Sequence, residues 1–204
     1  MKSTLTNVAK PLERIVRDPF SVRRFSVAEY HKMLEIGVLT PDERVELLEG
    51  WIVKKMPQNP PHSGSLGRAN RCLARILPTE WSLRIQCPIT LDDSEPEPDI
   101  TLARGPEGAY DSHHPTPADV GVLIEIADST VLSDRRYKGV LYAQAKIAEF
   151  WLINVVNRKV EVYTRPRSGK YHKIVAYTEK DTVPLILDGV NIADILVSEL
   201  MAKI

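Results

Sequence analysis

The 204-residue chain lacks the residues that mark several common protein classes. It has only two cysteines, Cys72 and Cys87, far apart and without a CxxC neighbour, so they read as small core residues and not as a zinc site or a disulfide framework. No apolar run approaches the ~18 residues of a transmembrane helix, and the N-terminus has no continuous apolar segment typical of a signal peptide. These absences predict a soluble cytoplasmic protein with no membrane partner.

Charge of one sign is not in excess either, because 27 basic residues balance 27 acidic ones. Global charge therefore indicates no polyanionic partner, and any binding of nucleic acid would need a local basic patch. The chain also has no G-x-S-x-G elbow, Walker loop, H-E-x-x-H motif or dinucleotide-binding glycine motif. These gaps exclude the commonest hydrolase, nucleotide-binding and metalloprotease interpretations.

What the chain does contain predicts one domain in which helices and strands are interspersed. A chain of 204 residues with 43% hydrophobic content can bury one sizeable core. We expect a loosely held arm over residues 1–24 and a single domain over residues 25–204. Because several hairpins lie among the helices, the predicted class is α/β or α+β with a mixed β-sheet flanked by helices.

Turn and cap residues predict where the elements begin and end. A helix starts after Ser26 and stops near Gly37, a hairpin turns at Glu49-Gly50, and a proline-rich loop covers 57–64. Further helices are expected over 65–78 and over 133–150, the second capped by Ser133 with Asp134 in its first turn. The remaining apolar runs predict strands over 82–93, 98–104, 120–128, 151–156, 159–166 and 171–178. A proline-led strand and a short closing helix are expected within 183–197.

The helix predicted over 65–78 divides into an apolar and a basic face. Leucine, isoleucine and alanine residues recur at helical spacing and should face the core. The other side carries a basic stripe, which we define as Arg68, Arg71 and Arg75. Such a stripe is commonly a solvated face, and contact with backbone phosphates is the alternative.

Glu125 is hard to explain as a structural residue. It lies inside the apolar run "VGVLIEIAD", where burying an ionised carboxylate is costly unless a cation or hydrogen-bond donors receive it. It is either an edge residue at the wet end of a strand, paired to an arginine, or a metal ligand.

Asp99 follows Pro98 at the head of another apolar strand. Two strands that each present a carboxylate to one cleft would form an oxygen-rich site suited to Mg²⁺ or Mn²⁺. Such an ion could activate water and stabilise charge on a phosphoryl oxygen. The nearby Glu95 and Glu97 are expected mainly to solvate the turn.

Four other positions carry weaker signals. Lys138, in the helix after the Glu125 strand, is an ordinary surface lysine or a group that stabilises developing charge. His62 could contact an anion or serve as a polar cap. His113-His114 are expected to be solvated, and either Glu46 or Glu49 could complete an acidic cluster.

Four ordered blocks resemble the Uma-two family of endonucleases, within the PD-(D/E)XK restriction-endonuclease-like superfamily. The blocks are "EYHKMLEIGVLTPDERVELLEGWIV", "EPEPDITL", "LIEIADSTVLSDRRYK" and "AEFWLINVVNRKVEVYTRP". The resemblance runs from about residue 25 to 200, and four blocks in order are more specific than one motif. It implies a restriction-endonuclease-like core, with a metal-dependent phosphodiesterase site at the edge of the sheet.

The resemblance also implies roles for individual residues. Asp99 matches the aspartate of the "PD" motif and Glu125 the acid of the second motif, so both would bind Mg²⁺ or Mn²⁺. Glu46 would hold a water on the ion or a second ion, and Lys138 would orient the nucleophile. His62 and the basic stripe would meet phosphates of nucleic acid, with DNA the expected form, and a homodimer is a possible assembly.

One departure from the superfamily pattern leaves alternatives open. The second motif is usually acid–x–lysine, but Glu125 is followed by Ile126 and Ala127, so Lys138 would have to supply the charge from the helix. A module that kept the fold but lost cleavage, and binds nucleic acid or protein, is the alternative. A structural subunit that uses its acids only for salt bridges is a third possibility.

Overall fold

The computed structural model describes residues 22–40, 42–128 and 137–203. The predicted N-terminal arm lies outside the described residues as far as residue 21, and so do the predicted cap Ser133 and its neighbour Asp134. In the described part of the chain, no helix is both long and apolar enough to cross a membrane.

The centre of the structure is a six-stranded mixed sheet in the order β3-β4-β5-β6-β7-β8. Strands β5 and β6 are parallel, and every other neighbouring pair in this sheet is antiparallel. Its strands are β3 (Trp81–Ile85), β4 (Ile100–Arg104), β5 (Val120–Ala127), β6 (Glu149–Asn154), β7 (Lys159–Arg167) and β8 (Lys170–Thr178). The prediction of a mixed sheet flanked by helices is confirmed.

Two hairpins stand outside this sheet. Strands β1 (Val45–Leu48) and β2 (Trp51–Lys54) are joined by Glu49-Gly50, both at positive φ, as the short sequence signal predicted. Strands β9 (Thr182–Leu187) and β10 (Val190–Leu196) form the second hairpin, followed by a 3₁₀ helix, Val197–Leu200.

Within the residues that the structure describes, three α-helices accompany the sheet. They are α1 (Val27–Glu35), α2 (Pro60–Ile76) and α3 (Gly139–Gln144). Helix α1 has the predicted Ser26 cap, completed into a capping box by Glu29. Helix α2 packs on one face of the sheet through Ala69 and Leu73, both fully buried, and α3 packs on the opposite face. Each face of the central strands is therefore covered.

Three predicted elements were wrong in extent or type. Helix α2 begins at Pro60, inside the predicted proline-rich loop, because Asn59 caps it and proline is suited to the first helical turn. The expected long second helix is described only as α3, with a wider π-type turn at Tyr137–Lys138 before it. The expected closing helix is largely strand β10, because Asp188-Gly189 forms a positive-φ hairpin turn.

The predicted strand over 82–93 is also shorter than expected. Its ladder with β4 ends at Ile85, and Gln86 turns the chain at φ 50°. The segment between Gln86 and Asp99 then runs mostly without regular pairing, touching β1 through one bridge between Leu47 and Glu95. This irregular segment carries several groups of the candidate site.

Candidate active site

Asp99 sits where the ladder between β4 and β5 ends. The last paired residues are Ile100 and Ile124, and Pro98 has no N–H to extend the ladder. Beyond the end of the ladder the Ile126 amide bonds to a side chain, since it donates a hydrogen bond to Asp99 Oδ2 at 2.8 Å. The turn before the strand therefore delivers a carboxylate held at the end of a buried strand.

Two side chains also bind Asp99. His62 Nε2, from the first turn of α2, lies 3.0 Å from Oδ2, and Gln86 Nε2 donates to Oδ1 at 3.2 Å. Burial alone raises the pKa of Asp99, but the hydrogen bond and charge of His62, the Ile126 amide and the charge of Lys138 outweigh it and lower that pKa. The site therefore favours an ionised carboxylate although it is only 7% exposed.

Glu125 lies in the middle of the sheet and not at a wet edge. It is 3% exposed on β5, with β4 on one side and β6 on the other. Its Oε1 accepts hydrogen bonds from Lys138 Nζ at 2.9 Å and from the Tyr142 hydroxyl at 2.6 Å. The alternative of a strand-edge position is wrong, and a lysine and a tyrosine are among the donors to the buried carboxylate.

The two acids belong to one site. Asp99 directly precedes Ile100 and Glu125 directly follows Ile124, and Ile100 and Ile124 are paired across the two strands. Lys138 links them electrostatically, because it contacts Glu125 and its charge also lowers the pKa of Asp99. The site therefore includes Asp99 just before β4, Glu125 on β5, Lys138 just before α3 and His62 in the first turn of α2.

Glu46 lies beside this group but is held separately. It is 6% exposed on β1, and its Oε2 accepts a hydrogen bond from the Glu97 amide at 3.1 Å. Burial, with Glu97, Glu95 and Glu46 nearby, raises the pKa of Tyr30 to about 12. Glu46 therefore lies in the same acidic surroundings as Glu95 and Glu97, and Glu97 is two residues before Asp99 in the sequence.

The basic stripe extends away from the site. Arg68 is half-buried, and Arg71 and Arg75 are exposed. At 1.5 Å per helical residue, Arg68 lies about 9 Å and Arg75 about 20 Å along the axis from His62. The three arginines would therefore meet phosphates at increasing distance from the carboxylates.

Sequence reasoning missed two groups of the site, Tyr142 and Gln86. Tyr142 had a signal, because it is four residues from Lys138 and so falls on the same helical side. Gln86 had none, because its contact with Asp99 depends on the positive-φ turn that ends β3.

The carboxylates of Asp99 and Glu125 are oxygen donors, the type that hard divalent cations prefer. Within the described ranges, no group of three or more histidine, cysteine, aspartate or glutamate side chains could hold a metal ion. A structural zinc site would need four such ligands. Mg²⁺ usually takes one or two carboxylates and keeps several waters, so Asp99 and Glu125 suit Mg²⁺ or Mn²⁺. The residue roles implied by the sequence stay predictions.

Comparisons with known proteins bear on the family and the fold of the chain. The model of the Uma2 family, described as "Putative restriction endonuclease", matches residues 27–194. A crystal structure at 1.96 Å resolution of "a putative nuclease belonging to DUF820" from Anabaena variabilis is similar, with a TM-score of 0.63 and 18% identity. The alignment covers 86% of this chain and 97% of that one. A search of curated proteins finds no match.

Proposed function

The chain belongs to the Uma2 family, and from that premise we propose that it is an endonuclease dependent on Mg²⁺ or Mn²⁺. Its substrate would be nucleic acid, with DNA the first candidate. The observation that carries this is the position of Lys138, whose Nζ lies 2.9 Å from Glu125 and whose charge also lowers the pKa of Asp99. Two acids and a lysine thus share one site although no lysine follows Glu125 on its strand.

Asp99 and Glu125 are the residues that would hold the ion. A bound divalent cation supplies Lewis-acid stabilisation of charge on phosphoryl oxygens. The donors around Asp99 keep that carboxylate ionised and fixed before any ion arrives, so little reorganisation is needed. Tyr142 donates to Glu125 Oε1 at 2.6 Å and so fixes the orientation of that carboxylate.

The other side chains act on the substrate. Lys138, with 17% of its side chain exposed, would stabilise the charge that develops on the phosphate and orient the attacking water. His62, at the start of α2, would contact a phosphate next to the scissile one, and Glu46 would accept a hydrogen bond from water near the site. The basic stripe would bind phosphates farther along the strand, as a sequence-independent electrostatic contact.

Location and assembly are part of the same proposal. A cytoplasmic location is proposed, because a nuclease must share a compartment with its nucleic-acid substrate. One site per chain cuts one strand, so cutting both strands of a duplex would use a homodimer. Light scattering with and without duplex DNA tests the assembly, and a monomer under both conditions would limit the activity to single cuts.

A plasmid-nicking assay in Mg²⁺, and separately in Mn²⁺, tests the function. The variants Asp99→Asn and Glu125→Gln remove one carboxylate charge each and should abolish nicking, as should a chelator. Glu107→Gln is the matched control, because Glu107 is exposed in a loop outside the site, and it should cut like the parent protein.

The alternative of an inactive binding module predicts a different result. The parent protein would then fail to nick in either metal, while binding of labelled DNA survives in both carboxylate variants. Equal nicking by Asp99→Asn and the parent protein would also reject the proposed site, because the activity would come from elsewhere.

A further inference from the structure

A second feature of the molecule lies directly beside the candidate active site. A cavity of about 380 Å³ opens between α1, the first hairpin and the irregular segment that leads to β4. Its walls include Tyr30, His31, Lys55, Glu95 and Glu97. A volume near the lower end of the ~300–1,000 Å³ typical of ligand sites suits a single small planar group.

The cavity and the active site share a wall. Gln86 lines the cavity, and its Nε2 donates to Asp99 Oδ1 at 3.2 Å. Gln86 adopts φ 50°, a conformation that costs a non-glycine residue free energy and is common at functional sites. The backbone amide of Glu97, another wall residue, holds Glu46. A group bound in the cavity would therefore lie next to the carboxylate proposed to take the metal.

Glu95 and Glu97 of the "EPEPD" stretch line this cavity. This corrects the expectation that these two acids mainly solvate a turn. Glu95 is 2% exposed, lies 2.7 Å from His31 Nε2, and accepts a hydrogen bond from Thr90 Oγ1 at 3.0 Å. The His31 side chain is 47% exposed. A buried carboxylate thus fixes the orientation of an accessible imidazole on the cavity wall.

His31 has an apolar neighbour on the same side of α1. Leu34 is three residues farther along the helix, so the two side chains are adjacent on its surface. Leu34 also lines the cavity and is 40% exposed. An aromatic ring beside an exposed aliphatic side chain forms a platform on which a planar ring can stack.

A planar ligand also needs hydrogen bonds at its edge, and Glu97 and Lys55 can form them. Lys55 Nζ is hydrogen bonded to Glu97 Oε2. Within the described chain no hydrogen bond to Glu97 Oε1 is observed, and the side chain is 26% exposed. A carboxylate acceptor next to an ammonium donor matches the N–H and ring-nitrogen edge of a base such as cytosine.

Charge argues against a phosphate in this cavity. Three glutamates, Glu43, Glu95 and Glu97, line it against the two permanent cations Arg44 and Lys55. His31 and His114 also line the cavity and, when neutral, leave one negative charge in excess, so an anionic group meets net repulsion whereas a neutral base does not.

We propose, on the basis of the nuclease function above, that this cavity binds one unpaired nucleobase of the strand to be cut. The base stacks on His31 and Leu34 and is hydrogen bonded by Glu97 and Lys55. Base binding here sets the neighbouring phosphate against Asp99. The substrate class that follows is single-stranded nucleic acid, or a duplex from which one base is turned outward.

Fluorescence anisotropy in the presence of a chelator tests this without any cleavage. The two probes are labelled oligodeoxycytidine and an abasic tetrahydrofuran strand of equal length, which has the same phosphates and no bases. The parent protein should bind the cytidine strand about tenfold more tightly, the effect of one stacked base. The Leu34→Ala and Glu97→Gln variants should each bring this ratio close to one. The second variant keeps the backbone amide that holds Glu46.

Leu196→Ala is the matched control, because Leu196 is 37% exposed on β10, outside the cavity, and its ratio should equal that of the parent. Equal binding of both probes by the parent overturns the inference, and so does an equal fall of the ratio in Leu34→Ala and Leu196→Ala. A protein that nicks plasmid but shows no preference refutes only the base site. A protein that shows the preference but never nicks refutes only the nuclease.

Discussion

Replacing Lys138 by methionine removes the cation that a buried carboxylate contacts. Lys138 Nζ lies 2.9 Å from Glu125 Oε1, and Glu125 is 3% exposed between two central strands. Methionine keeps much of the length of the side chain but carries no charge. The variant therefore leaves a carboxylate in an apolar region with the Tyr142 hydroxyl still donating to it.

The expected cost follows from this burial. Removing one partner of a buried ion pair typically costs ~3–5 kcal/mol. The cost is smaller here, because the hydrogen bond from Tyr142 remains and because 17% of the Lys138 side chain is exposed. We expect a loss of roughly 2–3 kcal/mol in the free energy of unfolding. For a domain of this size, that lowers the melting temperature by about 5–10 °C.

Mg²⁺ should reverse part of this loss if Glu125 is a metal ligand. A ligand at 100 times its dissociation constant stabilises the folded state by ~2.7 kcal/mol. The ion supplies the positive charge that the variant lacks, whereas in the parent protein Lys138 already neutralises Glu125. Mg²⁺ should therefore raise the melting temperature of Lys138→Met more than that of the parent.

Calorimetry in a chelator and then in excess Mg²⁺ measures both effects. Lys32→Met is the control, because Lys32 forms an exposed pair with Glu35 and such pairs contribute ~0–1 kcal/mol. A Lys138→Met variant that melts like the parent refutes the reasoning about the buried pair. Identical Mg²⁺ shifts in the variant and in Lys138→Met/Glu125→Gln refute the assignment of Glu125 as a ligand.

Three further perturbations probe the same site and its support. Tyr142→Phe should lower the free energy of unfolding by about 1.5–3 kcal/mol, the value of a hydrogen bond to a charged group; urea denaturation measures it, and no change would contradict the bond to Glu125. Because the folded state lowers the pKa of Asp99 from 3.8, its contribution is present above that value and is lost as pH falls through the folded pKa. The stability difference between parent and Asp99→Asn, measured in a chelator, should shrink in acid, and a constant difference would reject the shift. Gly121→Ala would set a Cβ 2.5 Å from Trp81 and should cost roughly 1–3 kcal/mol, whereas an unchanged melting temperature would show that Trp81 moves freely.

Local signals predicted much of the fold. The Ser26 cap, the Glu49-Gly50 turn and the strand containing Glu125 are each specified by residues close together in sequence, and all three are observed. Where local signals competed, the prediction was wrong. The prolines at the start of α2 predicted a loop, yet proline at the first turn is compatible with a helix once Asn59 caps it.

The candidate site was predicted in part. Asp99 and Glu125 were singled out because ionisable residues inside apolar runs need partners. The sequence could not show which partners, because the donors lie on other elements. Lys138 is 13 residues from Glu125, and His62 is 37 residues from Asp99.

The cavity was not predicted at all. Its walls come from α1, β1, the end of β3 and the "EPEPD" segment, which no periodicity connects. Glu95 was expected in solvent, but the fold buries it against His31 and Thr90.

The sequence by itself determined the class of fold, the two buried acids and the family to which they belong, because apolar periodicity and ordered motifs are properties of the chain alone. Only the tertiary structure decided that Lys138 contacts Glu125, that Tyr142 and Gln86 hold the acids, and that Glu95 and Glu97 line a cavity. The physical reason is that side-chain hydrogen bonds and charges act over a few ångströms in space, and chain topology sets which distant residues come within that range.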